Sequence, residues 1–484
     1  MTKLHTFIIV FVLATIDVFS QKYPATEIRA VWLTTNYNLD WPQSKSSVTA
    51  QKREIQEILD HLRKNNFNTI LFQTRNSGEV LYKSNIEPMF RSIAQSPGKE
   101  FFDPLKFVID ECHRRGMECH AWLITYPLGS RKHQNSLGAA SVVKKHRNIV
   151  TLYKNGWYLD PGNPQTDDYL LSIIREIVSN YDVDGIHFDY IRYPDRAVKF
   201  TDDASYRRWG KGQARDDWRR ENINRFVAKA YDQIKKLKPW VMVSSSPLGR
   251  YKPLNTNPND TWTAYYSVYQ DPVQWLNAGK HDAVFPMMYY RDGLFYPYLD
   301  QWIENSNGRI LVPGLGVYQI QDLGWLSSDI IDQIEYGRSK AVSGNAFFRV
   351  EHVLNYNHNI LRQLSDKYYK YPAKMPPMSW LSDEFPEAPF DLTAEKVAAD
   401  FQLRWKVKDT DPRITFNVYR CKSDSVDITD GSNLLATGLR EPVFMYQPPE
   451  DDSAYYYFVT SSNSFHNESS VTIPAFFWHS KTEK

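Results

Sequence analysis

The sequence predicts a (β/α)8 barrel followed by a small all-β sandwich, and three observations carry that reading. Eight short apolar runs alternate with amphipathic stretches between Ile28 and about Leu354. No G-x-G-x-x-G or Walker-type phosphate loop interrupts them, which argues against the doubly wound open sheet that shares this alternation. A Pro-rich seam, Tyr371-Pro372 through Pro389, then breaks the period, and short alternating runs follow it.

In chain order, residues 1–20 read as an export signal. Lys3 stands before an apolar run from Phe7 to Leu13, and Val18-Phe19-Ser20 puts small residues at the cleavage positions. The run is too short to span a bilayer, so the expected product is exported (periplasmic or secreted), with no membrane span in the mature chain. The apolar runs are 28–33, 68–73, 117–123, 183–189, 240–245, 283–289, 309–316 and 345–350. Between them, Ile55, Ile58, Leu59 and Leu62 recur at helical spacing, as do Leu170, Ile173, Ile174 and Ile177. Asp103-Pro104 opens a helix that Arg115-Gly116 closes, and residues 217–238 form another, ended before Pro239. The expected organisation is a barrel over 26–370, a Pro-rich linker over 371–389, and an immunoglobulin/fibronectin III-like sandwich over 390–484. In the sandwich, runs 400–407, 414–421, 453–462 and 469–478 read as strands, with Trp405 and Tyr457 in the core.

Composition narrows the ligand. Lys+Arg 58 against Asp+Glu 56 leaves a net charge of +2, which lacks the field of a generic nucleic-acid binder. The three cysteines, Cys112, Cys119 and Cys421, are too sparse for a disulfide framework and show no zinc spacing. Cys112 and Cys119 flank a tight Arg-Arg-Gly turn and read as buried thiols. Aromatic residues make up 14% of the chain, an excess that requires either a large core or a surface for flat ligands.

In such a barrel the reacting groups come from the C-terminal strand ends and the loops beyond them. Those ends carry Trp32; Arg75 and Glu79; His120, Trp122 and Tyr126; Asp189, Tyr190, Arg192 and Tyr193; Tyr289, Tyr290 and Asp292; Tyr318; and Arg349 and Glu351. Rings, arginines and carboxylates at one mouth, with no metal-ligand cluster and no cofactor motif, suit a polysaccharide or oligosaccharide. Glycosidic cleavage needs two carboxyl groups. Asp189 is the first, because it ends an apolar strand where packing has no use for a carboxylate. Asp292, Glu351 and Glu79 compete to be the second, so retaining and inverting outcomes both stay open. His120 reads as a contact to a sugar hydroxyl. Arg75 and Arg349 either clamp a substrate carboxylate or orient Asp189. A non-catalytic glycan-binding barrel is the alternative.

The ordered segments EIRAVWLTT (27–35), FQTRNSGEVLYKSNIEPM (72–89), GMECHAWL (116–123) and YLDPGNPQTDDYLLSIIREIVSNYDVDGIHFDYIRYP (158–194) resemble the glycosyl-hydrolase-like 10 family of exported bacterial barrel proteins. The resemblance runs from about residue 26 to 365. It implies a (β/α)8 glycosidase related to the α-galactosidase and α-amylase superfamilies, with Asp189 at the nucleophile position and Asp292 near that of the acid. It also implies a bacterial cell-wall substrate, in particular peptidoglycan strands stripped of peptides. Many members read Asp-Asp-Tyr where this chain has Asp189-Tyr190, a departure that bears on subsite detail.

Overall fold

The computed structural model describes residues 23–44, 47–96, 98, 100–195, 200–356, 358–397, 400–448 and 453–479; the predicted signal, 1–20, lies outside them. Eight strands make the barrel: β1 (Ile28–Leu33), β2 (Thr69–Asn76), β3 (Glu118–Ile124), β4 (Gly185–Asp189), β5 (Met242–Ser245), β6 (Ala283–Val284), β7 (Ile310–Leu311, resuming as Gly314–Leu315) and β8 (Gly344–Phe347). All are parallel and pair in chain order, with β8 returning to β1. Strand β7 closes the ring in two steps. Its first half pairs with β6 and its second half with β8. Pro313, which has no N–H to donate, stands between the halves.

A main helix follows each strand: α1 (Val48–Lys64), α2 (Pro104–Arg114), α3 (Pro164–Asn180), α4 (Arg215–Leu237), α5 (Pro272–Asn277), α6 (Asp292–Glu304), α7 (Ser327–Ser339) and α8 (His358–Gln363). Their starts are chemically marked. The Ser47, Asp103 and Asn163 side chains accept from backbone N–H groups of the first turn, and Pro104 and Pro164 occupy the position where no N–H is needed. The buried stripes are the predicted ones, Ile55-Leu59-Leu62 on α1 and Leu170-Ile173-Ile174-Ile177 on α3.

Alternate strand residues point into the barrel, where polar atoms must find partners. The Trp32 indole N–H donates to His187 Nε2 at 3.2 Å, and Nδ1 of the same ring lies 2.9 Å from Ser244 Oγ. With Nε2 accepting, the proton sits on Nδ1 and points at the serine. Burial holds this imidazole far below its ordinary pKa, hence neutral. Gly185, two residues before it on β4, leaves room for the neighbouring His120: a Cβ there would stand 2.6 Å from His120 Nδ1.

The barrel floor is sealed from outside the barrel. Met375, Met378 and Trp380 of the Pro-rich segment, with Phe465 of the sandwich, pack on Ile28, Met242 and Ile310. The Trp380 indole donates to Asp282 at 3.0 Å. Residues 371–389, expected as a linker, therefore include a plug. Glu118 adds an ionic tie, accepting from His120 at 2.9 Å and from His466 of the sandwich at 2.6 Å.

The sandwich sets strands Phe390–Val397, Asp400–Lys406 and Val443–Tyr446 against Leu434–Leu439, Thr415–Cys421, Ser453–Ser462 and Ala475–His479. Trp405 and Tyr457 lie in its core as expected. Three of these strands are invisible to alternation: Phe390–Val397 is largely exposed on both faces, and the other two are short and turn-flanked. The run 469–478 is a strand only from Ala475. Cys112 and Cys119 are buried free thiols.

Two outcomes test this arrangement. A Cβ on Gly344 (φ +144°) would lie 2.0 Å from the Ile28 carbonyl oxygen, across the β8–β1 seam. Gly344→Ala is expected to cost about 3 kcal/mol or more in chemical denaturation, because backbone on both sides must move. For His466, burial opposes the cation, but the Glu118 carboxylate outweighs it and raises the pKa. Its contribution is then full below the unfolded value of 6.5 and fades as pH rises through the raised one. His466→Ala should therefore lower Tm more at pH 6 than at pH 9; an equal loss would show that the tie is not ionic.

Candidate active site

Asp189 ends β4 at the open mouth, and its carboxylate is built into the wall. Oδ2 accepts from the Trp122 indole N–H at 3.2 Å, and Oδ1 accepts from its neighbour's backbone N–H, that of Tyr190, at 2.7 Å. Trp122 stands on β3, where the register sets Ile124 against Asp189. Burial raises the Asp189 pKa, and Arg192, the Tyr190 N–H, Ser246 and Trp122 pull it only part of the way back. A carboxyl raised from its ordinary range yet supplied with donors is suited to proton transfer or attack near neutral pH.

Aromatic rings continue from the interior to the rim. Trp32 packs on Phe348 at 6.1 Å, Phe348 on Tyr289 at 5.6 Å, and Tyr289 on Tyr318 at 5.7 Å. Burial raises the Tyr289 phenol well above its ordinary value, with Asp189 adding to the effect. Tyr190 is 39% exposed in a left-handed backbone conformation (φ +50°), and the Arg192 guanidinium lies 4.6 Å from its ring centre. A positive φ on a tyrosine is costly, and such residues cluster at working sites. Trp32, Trp122, Asp189, Tyr190, Arg192, Tyr289 and Tyr318 are thus brought together around the mouth.

Other expected residues lie elsewhere. Arg75 is fully buried on the helix side of β2, forked onto Glu87 and bonded to the Ile124 and Thr125 carbonyls. His120 faces the floor network through Glu118. Tyr126 is buried against Phe226 of α4. Tyr193 is buried between Phe200 and Tyr269 and accepts from Asn222. Tyr290 packs behind the mouth against Tyr298. Arg349 is at the rim but occupied, paired with Asp40 and with Glu351. Burial raises Asp40 to about 6, against the pull of Arg349.

The remaining carboxylates differ in their commitments. Glu351 is 2.6 Å from Arg349 Nη2. Glu79 is buried beside His133 at 3.4 Å, and burial lifts it to about 7. Asp292 starts α6 with its side chain 79% exposed; it is 3.7 Å from Arg291, which pairs more closely with Asp329 at 2.9 Å. Asp292 is thus the least engaged of the three.

Two features escaped the sequence reading. A three-stranded sheet, Pro127–Ser130, Val150–Tyr153 and Gly156–Leu159, is inserted between β3 and α3 and brings Tyr158 under the field of Arg192 and Tyr190. Its hairpin turn is Lys154-Asn155, with Lys154 at positive φ and Gly156 already paired with Tyr153, so the Asn155-Gly156 signal stands one residue out of register with the turn it marks. Phe348 was missed because it sits inside an apolar run that reads as core. A 590 Å³ cavity exists, but at the barrel floor against the sandwich, and its lining charges are largely paired with one another, as in Lys374–Glu468 and His466–Glu118. Among the described residues, no group of three or more His, Cys, Asp or Glu is placed to hold a metal ion, and no helix is long and apolar enough to cross a membrane.

The family model described as glycosyl hydrolase-like 10 matches residues 27–311. The protein named glycosyl hydrolase YngK of Bacillus subtilis (strain 168) is 32% identical over 386 residues, 75% of this chain and 76% of its own length. Glycosyl hydrolase DigH of Escherichia coli (strain K12) is 32% identical over 336 residues, 62% of this chain and 76% of its own. Among solved structures, the glycoside hydrolase domain of PgaB (BpsB) from Bordetella bronchiseptica aligns with a TM-score of 0.49 at 14% identity, over 71% of this chain and 99% of that one.

The Trp122–Asp189 bond has a measurable consequence. Trp122→Phe keeps the ring and deletes the donor, so the Asp189 pKa should rise further. A hydrogen bond to a charged group is worth about 1.5–3 kcal/mol, so the acid limb of the pH–activity profile should move up by roughly one to two units. An unmoved limb would show that Asp189 does not set it.

Proposed function

The chain belongs to the glycosyl hydrolase-like 10 family, and from that premise we propose that it hydrolyses glycosidic bonds of an extracytoplasmic polysaccharide, in particular peptide-free peptidoglycan strands. The observation that carries the proposal is Asp189: a buried carboxylate held by two neutral N–H donors beneath a ring-lined mouth. Sugar rings present apolar faces to Tyr190, Tyr289 and Tyr318, and hydroxyls to the polar atoms between them. Asp189 attacks the anomeric carbon or activates water there. Asp292, more exposed and more loosely paired than Glu351, supplies the leaving-group proton. Export is part of this proposal and rests on the signal-like residues 1–20.

Binding without cleavage is the second reading. The ionic group acting most strongly on Asp189 is Arg192 rather than a second carboxylate, and a glycan-binding barrel needs no carboxyl pair. Asp189→Asn separates the two readings. Hydrolysis of purified peptide-free strands, followed by mass spectrometry, should fall by about 10²–10⁴-fold, the range acid–base groups contribute, while strand affinity survives. Wild-type protein that binds strands and releases no fragments would leave only the binding reading.

A further inference from the structure

Of the arginines expected at the mouth, Arg75 lies behind β2 and Arg349 stands at the rim, and both are already neutralised. Arg75 is held by Glu87, and Arg349 by Asp40 and Glu351. Arg192 is different. It is 8% exposed, makes no ion pair with any described residue, and its Nη1 is buried without a hydrogen-bond partner. Its neighbours are the face and phenol of Tyr190, the field of Tyr158, and Asp189 beyond contact range. Asp195, three residues on, acts on the same two rings, Tyr190 and Tyr158, but makes no ion pair with Arg192.

A guanidinium so nearly desolvated costs several kcal/mol unless an anion meets it. Asp189 does not provide that contact: it acts on Arg192 only through space, outside ion-pair range, while its oxygens accept from Trp122 and the Tyr190 N–H. The most exposed group beside it is Tyr190, 39% exposed, whose ring the guanidinium faces. A planar fork at such a place matches a carboxylate.

We infer that Arg192 is a specificity residue that binds a carboxylate carried by the glycan, so that the protein acts on acidic sugar chains in preference to neutral ones. The inference rests on the glycan reading above and refines it. A carboxylate on the sugar beside the scissile bond would sit on Arg192 while the ring stacks on Tyr190. No new bond forms; the anion supplies the contact partner that no described residue gives Arg192.

The test compares two probes: peptide-free peptidoglycan strands, whose muramic acid residues carry free lactyl carboxylates, and the same strands after carbodiimide activation and reduction of those carboxyls to alcohols. Wild-type kcat/KM should favour the acidic strand by on the order of 10- to 100-fold, as one charge-assisted contact provides. Arg192→Met should bring that ratio close to one, and Arg192→Lys should retain part of it. Affinities measured by calorimetry in the Asp189→Asn background should show the same ratios without any turnover. A wild-type ratio near one, a ratio unchanged in Arg192→Met, or no binding of either strand would overturn the inference. Discrimination in binding with no hydrolysis by the wild type would sink the glycosidase reading and leave the carboxylate site standing. The wild-type comparison needs no variant, so a misfolded substitution does not remove the test.

Discussion

Everything at the mouth depends on how the closed interior is satisfied. Eight strands sharing one interior force alternate side chains into a volume without water, where each polar atom needs a partner. Trp32, His187 and Ser244 meet that demand by bonding in one line across β1, β4 and β5. The line spends the imidazole internally and keeps it neutral, so the histidine in the barrel centre does no acid–base work. One position further along β4's inward face stands Asp189, whose donor comes from the next tryptophan, Trp122. The carboxylate is thus the first inward group above a saturated layer. The floor must be sealed for the layer to stay dry, and Met378, Trp380 and Phe465 seal it from outside the barrel.

How much of this was legible follows from strand parity. On β4, Gly185, His187 and Asp189 alternate inward without interruption, so the aspartate's inward position at the mouth was readable from its place in the run. On β2 the same reasoning misleads. Gln73 faces Trp122, but Arg75 faces Leu123, because an extra residue at Thr74 shifts the register. That bulge turns Arg75 away from the mouth and onto Glu87, and nothing in the local residue types announces it. His120 is on the inward face as its parity requires, but too near the entry of β3 to reach the mouth; depth along a strand is harder to read than side. Tyr126 and Tyr193 lie past the ends of their strands, where parity no longer applies and the core behind the sheet captures the rings. The sandwich shows the complementary failure: an edge strand such as Phe390–Val397 carries too little buried surface for alternation to mark it.

The near-zero net charge has a local meaning as well. Most buried arginines in the barrel are matched on the spot: Arg29 and Arg338 by Glu27, Arg75 by Glu87, and Arg219 by Asp202. Against that habit, one arginine left without a contact anion is a local exception, and it lies beside the group proposed to react. Cavity size does not locate the site, since the 590 Å³ space at the floor has charges that largely answer one another. What marks the mouth is an unanswered charge beside a raised carboxyl and a wall of rings.

The two anions that would meet at Arg192 explain why Asp189 is held by neutral donors. In the free protein the guanidinium favours the Asp189 carboxylate through space, against the penalty of burial. A substrate carboxylate seated on Arg192 cancels much of that field and adds a like charge nearby, and both effects push the Asp189 proton back on. If ionisation depended on Arg192 alone, binding the substrate would disarm the residue meant to act on it. The Trp122 indole and the Tyr190 backbone N–H carry no net charge and cannot be drawn to the substrate in the same way. They favour the carboxylate form whether or not Arg192 is occupied, so recognition and reactivity can share one corner of the barrel.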